Sequence, residues 1–347
     1  LNIGNVPTTV YENLVNNVKS GSAPLQRYYQ LRKKALKLDS YHVYDGSLPL
    51  VEFELSYDYD SLLPMLVQSV APLGKDYQEM YKQATSTGWV DVFESEGKNS
   101  GAYSAGVYGI HPFMLTNYSG TLEAAFTMAH ELGHCMHSML SQKYQPYITS
   151  EYTIFVAEVA STLNEALFLD YMLERSKDPR ERIRLLQQTI DNIDGTYYMQ
   201  AMLADFERRA HGLAEQGQPI TADALKGLYK QMWGEYYGNS VEYEDLLGIR
   251  WSRISHFYDT PYYVYQYATS FAASAKIHQD ITSKDPKVRK AALDRYLTLL
   301  KSGGNDYPME QLKKAGVDLS QPATMQAMVA ELDRLVTQLD AELKKLN

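Results

Sequence analysis

A mainly α fold with a small β element is what the sequence predicts, and three observations predict it. Apolar residues recur at helical spacing through most of the 347 positions. One stretch, GKNSGAYSAGVYGIHPFMLTNYSG, replaces that period with glycines at 97, 101, 106, 109 and 120 set among aromatic and apolar residues, the texture of short strands and turns. No internal repeat or low-complexity tract breaks the pattern elsewhere.

The elements follow in order. Residues 9–20 read as a helix, with Thr9 and Glu12 spaced as a capping box and Val10, Leu14 and Val18 on one face. Pro24 stands where a first helical residue would, and Leu25, Tyr28, Leu31, Ala35 and Leu36 form the stripe of a second helix that stops at Asp39 and Ser40. In LVEFELS, Val51, Phe53 and Leu55 alternate with Glu52 and Glu54, the signature of a half-exposed strand. A helix is expected over about 61–86. Beyond the glycine-punctuated stretch, helical periodicity covers 121–140, 155–173, 180–216 and 222–236, and the loop YYGNSVEYED follows. A charge-laced amphipathic helix over 324–347 closes the chain.

Composition narrows the function. A net charge of −9 with no Lys/Arg block argues against nucleic acid, because phosphate neutralisation needs a basic surface. Cys135 is the single cysteine, so no intrachain disulfide forms and a cytoplasmic setting is expected. Nowhere do 18 apolar residues run together, and no signal segment is read at the start, so no membrane anchor is expected. The 29 tyrosines against 9 phenylalanines suit a wet interior cleft.

Chemistry concentrates in AHELGHCMHSM, residues 129–139. His130-Glu131-Leu132-Gly133-His134 fits H-E-x-x-H. Histidines four apart on a helix lie about 40° apart in azimuth and about 6 Å along the axis, so both imidazoles can converge on one ion while Glu131 flanks it as a base. Chance places such a pattern in a chain like this at roughly one per cent. Leu122, Ala125, Phe126, Ala129, Leu132 and Met136 bury this helix, and buried ionisable groups need partners that a metal supplies. A catalytic zinc asks for a third protein ligand. Glu158 answers, an acid among Val159, Leu163 and Ala166 on the next helix. Glu165 shares its face; it is expected either to hold a ligand imidazole from behind or to make a plain surface or core hydrogen bond. His137 lies too far along the axis to join His130 on one ion and is read as a supporting histidine, while Cys135 points away.

Three ordered segments, the run from GKNSGAYSAG to AHELGHCMHSMLS, then FVAEVASTLNEAL, then HFYDTPYYVYQYATSFAAS, resemble the oligoendopeptidase F family, relatives of thimet oligopeptidase. The resemblance implies a multi-helix zincin-type metallopeptidase catalytic domain, with a small β-sheet beside the active-site helix and one Zn2+ per chain. It implies His130, His134 and Glu158 as metal ligands and Glu131 as general base. It makes Tyr265 the catalytic tyrosine, with His256 and Tyr258 beside it, and Tyr262 a substrate contact. Gly101, Ala102 and Tyr103 would form a strand edge that pairs with peptide backbone. Thr260 as N-cap and Pro261 as first helical residue would put His256 and Tyr258 on the entering loop, and Tyr262 and Tyr265 on one helix face. Phenolic hydroxyls there can donate to a developing oxyanion.

The expectation is a zinc-dependent endopeptidase acting on short unstructured peptides, with residues 1–347 as one catalytic region: a helical lead-in to 90, a zinc-site core over 91–283, and C-terminal helices from 284. Family members are usually longer, with an N-terminal helical region that roofs the channel and has no counterpart in this sequence. Two rivals are a non-catalytic peptide-binding module with a structural zinc and a metal-free helical scaffold. Oligomeric state is left open.

Overall fold

The computed structural model describes residues 5–86 and 88–346. Four helices lead in: α1 (Thr8–Ser20), α2 (Ala23–Ala35), α3 (Tyr59–Ser69) and α4 (Lys75–Ala84). A three-stranded sheet follows, with β1 (Val90–Asp91), β2 (Tyr103–Ala105) and β3 (Phe113–Leu115) in the order β1-β3-β2. β1 runs parallel to β3 and β2 antiparallel to it, which leaves β2 on an edge. The helical body continues as α5 (Leu122–Tyr144), α6 (Ile154–Arg175), α7 (Pro179–Ile193), α8 (Met199–Glu215), α9 (Ala222–Tyr237), the single turn α10 (His256–Asp259), α11 (Tyr265–Ile281), α12 (Pro286–Lys301), α13 (Pro308–Lys314) and α14 (Pro322–Lys344).

One hydrophobic core extends from Val6 to Leu343. At its centre α6 packs against α5 on one side and α11 on the other, while α14 lies across α7 and α11 and meets α1. The sheet rests on α5 through β2 and β3. Mainly α with a small sheet is therefore the architecture, as its periodicity predicted.

Several local expectations need correction. α1 starts at Thr8 behind an extended Pro7, whose carbonyl accepts from Val10 N–H at 3.0 Å, so Thr9 lies inside the helix and no side chain caps it. LVEFELS forms no strand; only Ser56 makes an isolated bridge, to Thr121. Leu50 N–H donates instead to the Gln187 side chain at 3.0 Å, and the Arg180 guanidinium lies over the Phe53 ring. The single helix expected over 61–86 is split by a 3-10 turn (Ala71–Leu73) and by Gly74, whose φ of 94° an L side chain resists. Residues 180–216 stay helical but contain a π turn (Asp194–Tyr198), where a half-buried Asp194 accepts from Tyr29 and Tyr237. α14 begins two residues early, and Asn347 lies outside the described residues.

The tyrosines are chiefly core residues rather than lining for a cleft. Tyr28, Tyr41, Tyr81, Tyr197, Tyr198 and Tyr296 are among the largest fully buried side chains. Some staple distant elements, as when Tyr197 donates to Met325 O at 2.8 Å and Tyr198 to Gly21 O at 2.9 Å. In these two the polar tip finds a backbone acceptor inside the body, whereas Tyr28 donates to Asp191 and Tyr41 accepts from Arg32.

Candidate metal centre

Thr121 caps α5 by accepting from Ala124 N–H at 3.2 Å, and the helix runs unbroken through the histidine motif. Gly133 sets the approach of α6. A Cβ built there would meet Ser161 Cα at 2.6 Å and Ala160 O at 2.7 Å, so only glycine permits this crossing. The crossing brings Glu158 opposite both histidines.

The three donors converge. His130 Nε2 lies 3.2 Å from His134 Nε2 and 3.3 Å from Glu158 Oε2, and His134 Nε2 lies 3.6 Å from the same oxygen. Ligand atoms about 2.0–2.1 Å from a tetrahedral zinc stand about 3.4 Å from one another, the value these separations bracket. Two ring nitrogens and a carboxylate oxygen facing each other at this range need a cation or a proton between them.

Outer contacts orient the donors. His130 Nδ1 bonds Glu165 Oε1 at 2.7 Å, which leaves the Nε2 lone pair toward the cluster when Nδ1 carries the proton. Asn192 donates to Glu165 Oε2 at 3.1 Å, and Thr196 donates to Asn192 at 3.1 Å. Ser161 donates to Glu158 Oε2 at 2.9 Å. Glu131 is buried beside the cluster, and its Oε2 has no hydrogen-bond partner.

The electrostatics match this crowding. Burial opposes charge on His130, yet its bonds to Glu158 and Glu165 hold it well above the usual imidazole value. Burial and the adjacent His130 push His134 down to about 4. Burial would raise Glu158, but the His130 bond and both imidazoles bring it to about 2. Burial lifts Glu131 to about 7.

A cleft of about 460 Å³ opens over these groups. Its lining includes Ala102, His130, Glu131, Glu158, Glu165 and Tyr267. Gly101 and Ala102 immediately precede edge strand β2, and Tyr103 is an exposed residue of that strand. His130, Glu131, His134, Glu158, Glu165 and Ala102 are thus brought to one place.

The aromatic segment is arranged differently from expectation. Thr260 and Pro261 do not begin a helix; α11 begins at Tyr265. Pro261 disfavours helical backbone at Thr260, and Tyr262 takes a left-handed φ of 60°. Tyr262 is pinned by its N–H donating to Glu207 at 2.7 Å and by its ring against Tyr11 and His211. Tyr265 is buried against Tyr11 and Phe155, and neither it nor Tyr262 lines the cleft. Tyr258 is exposed and borders a separate hollow with Trp251 and Phe257. His256 touches the cleft's wall indirectly, its ring stacked on Tyr263 at 5.2 Å and edge-on to Tyr267 at 6.0 Å.

Tyr267 is the cleft residue that sequence reasoning missed. Its side chain sits about 200° around the helix from Tyr265, on the face that packing of α11 turns toward the cleft. Burial raises its pKa to about 12, with Glu158 contributing. Asn192 and Ser161 had no signal in the sequence. His137 is buried with its ring stacked on Tyr152 at 3.5 Å; neither ring nitrogen has a partner, so it bonds no ligand residue. Burial pushes it down to about 3.

The fold and this constellation define a class: a helical protein whose two crossing helices present His, His and Glu donors, with a neighbouring carboxylate, at a cleft bordered by a sheet edge. The chain belongs to peptidase family M3, whose model matches residues 2–331. It is similar to oligopeptidase PepF of Bacillus subtilis, 39% identical over 100% of this chain and 51% of that protein. A crystal structure from Chlamydophila abortus superposes with a TM-score of 0.90 at 40% identity, covering 98% of this chain and 56% of that one. Oligoendopeptidase-F from Enterococcus faecium gives a TM-score of 0.76 at 31% identity, covering 99% and 54% respectively. The chain spans about half the length of the relatives it matches. No helix among the described residues is long and apolar enough to cross a membrane.

Proposed function

We propose that the chain, as one catalytic region, is a zinc-dependent endopeptidase that holds one Zn2+ and hydrolyses short unstructured peptides. The carrying observation is the convergence of His130, His134 and Glu158 beside an unpartnered oxygen of Glu131. Those three residues would hold the ion, which when bound supplies Lewis acidity toward the scissile carbonyl and toward water.

The chain's own residues then have distinct roles. Glu131 accepts a proton from the attacking water and returns it to the leaving amine; its Oε2 has no competing bond to break first. Glu165, backed by Asn192, fixes the tautomer of His130. The outer edge of β2, with Gly101, Ala102 and Tyr103, pairs with extended peptide backbone, a mode that reads few side chains. Tyr267 rather than Tyr265 donates to the developing oxyanion, and His256 braces it through the Tyr263 and Tyr267 rings. Peptides, and neither nucleic acid nor membrane, are the partners, in a cytoplasmic setting. The names of the relatives, oligopeptidase and oligoendopeptidase F, support this reading.

Glu131→Gln tests it. Elemental analysis should still find one zinc per chain, while cleavage of a quenched peptide falls by about 10²–10⁴. Near-normal turnover in that variant sinks the mechanism. Peptide binding without cleavage by the zinc-loaded wild type would restore the binding-module alternative.

A further inference from the structure

Behind the cleft lies a second, smaller space of about 60 Å³. The two share walls: Phe126, Thr162, Glu165, Gln188, Asn192 and Phe271 border both. The chamber therefore adjoins the cleft beside His130, across these side chains. Its deeper walls are Ala166, Leu169 and Ile193 on one side and Ala275, Met328 and Leu335 on the other.

Charged groups on the walls already have partners. Glu165 is held by His130 and Asn192 through its two oxygens. Glu331 gives both oxygens to Arg334. His278 Nε2 bonds Asp170 at 2.7 Å. No wall carboxylate is left to receive a cation, and the unpartnered hydroxyl of Thr189 asks for no charge. What remains is mainly apolar surface, with the neutral polar groups of Gln188, Thr189 and Ser274 set in it.

Size narrows the occupant. A dry cavity of about 150 Å³ takes a benzene ring. One of about 60 Å³ suits a branched aliphatic end and is too small for an aromatic ring without rearrangement.

We propose that this chamber receives an aliphatic substrate side chain, of valine or leucine size, and so sets which peptides are cut. The inference rests on the peptidase reading above, and deepens it by naming a selectivity that backbone pairing along β2 does not supply.

A quenched-peptide series on one scaffold, varied in turn at each position through Ala, Val, Leu, Phe and Lys, tests the chamber by kcat/KM ratios. The same peptides are titrated by fluorescence anisotropy against Glu131→Gln, which reads binding without turnover. At one position wild type should favour Leu or Val over Ala and over Phe by at least about 10-fold. Ala275→Leu, which fills the chamber, should bring that ratio to within about threefold, and Leu335→Ala, which enlarges it, should move the optimum toward Phe. If Ala275→Leu does not fold, Leu335→Ala decides alone, since it removes atoms. An unchanged profile in the folded variants, or Lys as the favoured residue, overturns the chamber and leaves the peptidase reading in place. If wild type cuts none of the peptides while Glu131→Gln keeps the Leu preference in binding, the peptidase reading falls and the chamber stands.

Discussion

The crossing of α5 and α6 and the aromatic run over residues 256–267 both serve the cleft, but they are held by different means. At the crossing, backbone meets backbone: Gly133 lets Ala160 and Ser161 approach so closely that His130, His134 and Glu158 have one arrangement. In the aromatic run, side chains hold a backbone that local preference would place elsewhere. Tyr262 keeps its left-handed φ through Glu207 and His211 on α8 and Tyr11 on α1, partners far from it along the chain. A rigid crossing yields ligand geometry from helical period alone. A packed irregular run yields its geometry only when its neighbours are present.

Four perturbations break or sharpen that contrast. The largest should be Gly133→Ala. Its new methyl meets backbone that cannot swing aside, so a loss of about 1–3 kcal/mol in denaturant unfolding is expected, with loss of bound zinc. Retained zinc and unchanged stability would show that the crossing is softer than drawn. Next is the tyrosine pair: Tyr267→Phe should lower kcat by about 10²-fold, whereas Tyr265→Phe should stay within a few-fold. The reverse order would give the catalytic role to Tyr265.

A smaller effect is expected behind the ligands. Glu165→Gln keeps the size of the side chain that meets His130 but removes its charge, and zinc affinity in a chelator competition should fall by about 10–100-fold. The smallest tests the aromatic run. Burial raises the pKa of Glu207 above its ordinary value, so the folded state binds the proton more tightly than the unfolded chain does. That contribution is present at low pH and is lost as pH rises through the folded value. Glu207→Gln keeps an acceptor for Tyr262 N–H, so it should melt about 1–3 °C above wild type at pH 8, with the gap closing toward pH 4.

Legibility along the chain follows the same contrast. The spacing of His130 and His134, the burial of their helix and the apolar company of Glu158 are local periodic facts, and the structure brings those three residues together. Glu165 was legible for the same reason, one face of one helix. LVEFELS misled because alternation records which side chains face inward, and pairing needs a neighbouring strand that the fold does not provide. Tyr265 and Tyr267 lie about 200° apart on one helix, and which of them meets the cleft depends on packing, which turns Tyr265 toward Tyr11 and Phe155. Asn192 and Ser161 carry no pattern at all; each matters through its hydrogen bond to a site carboxylate.

By itself the sequence determined the helical class, the small sheet ahead of the histidine helix, and the donor types at i and i+4, because each depends on spacing along one element. Tertiary structure alone decided which glutamate oxygen meets the imidazoles, that Tyr267 rather than Tyr265 lines the cleft, and that a chamber lies behind Phe126 and Phe271. Those depend on how closely helices approach and where an irregular run is pinned, energies shared among residues far apart in the chain.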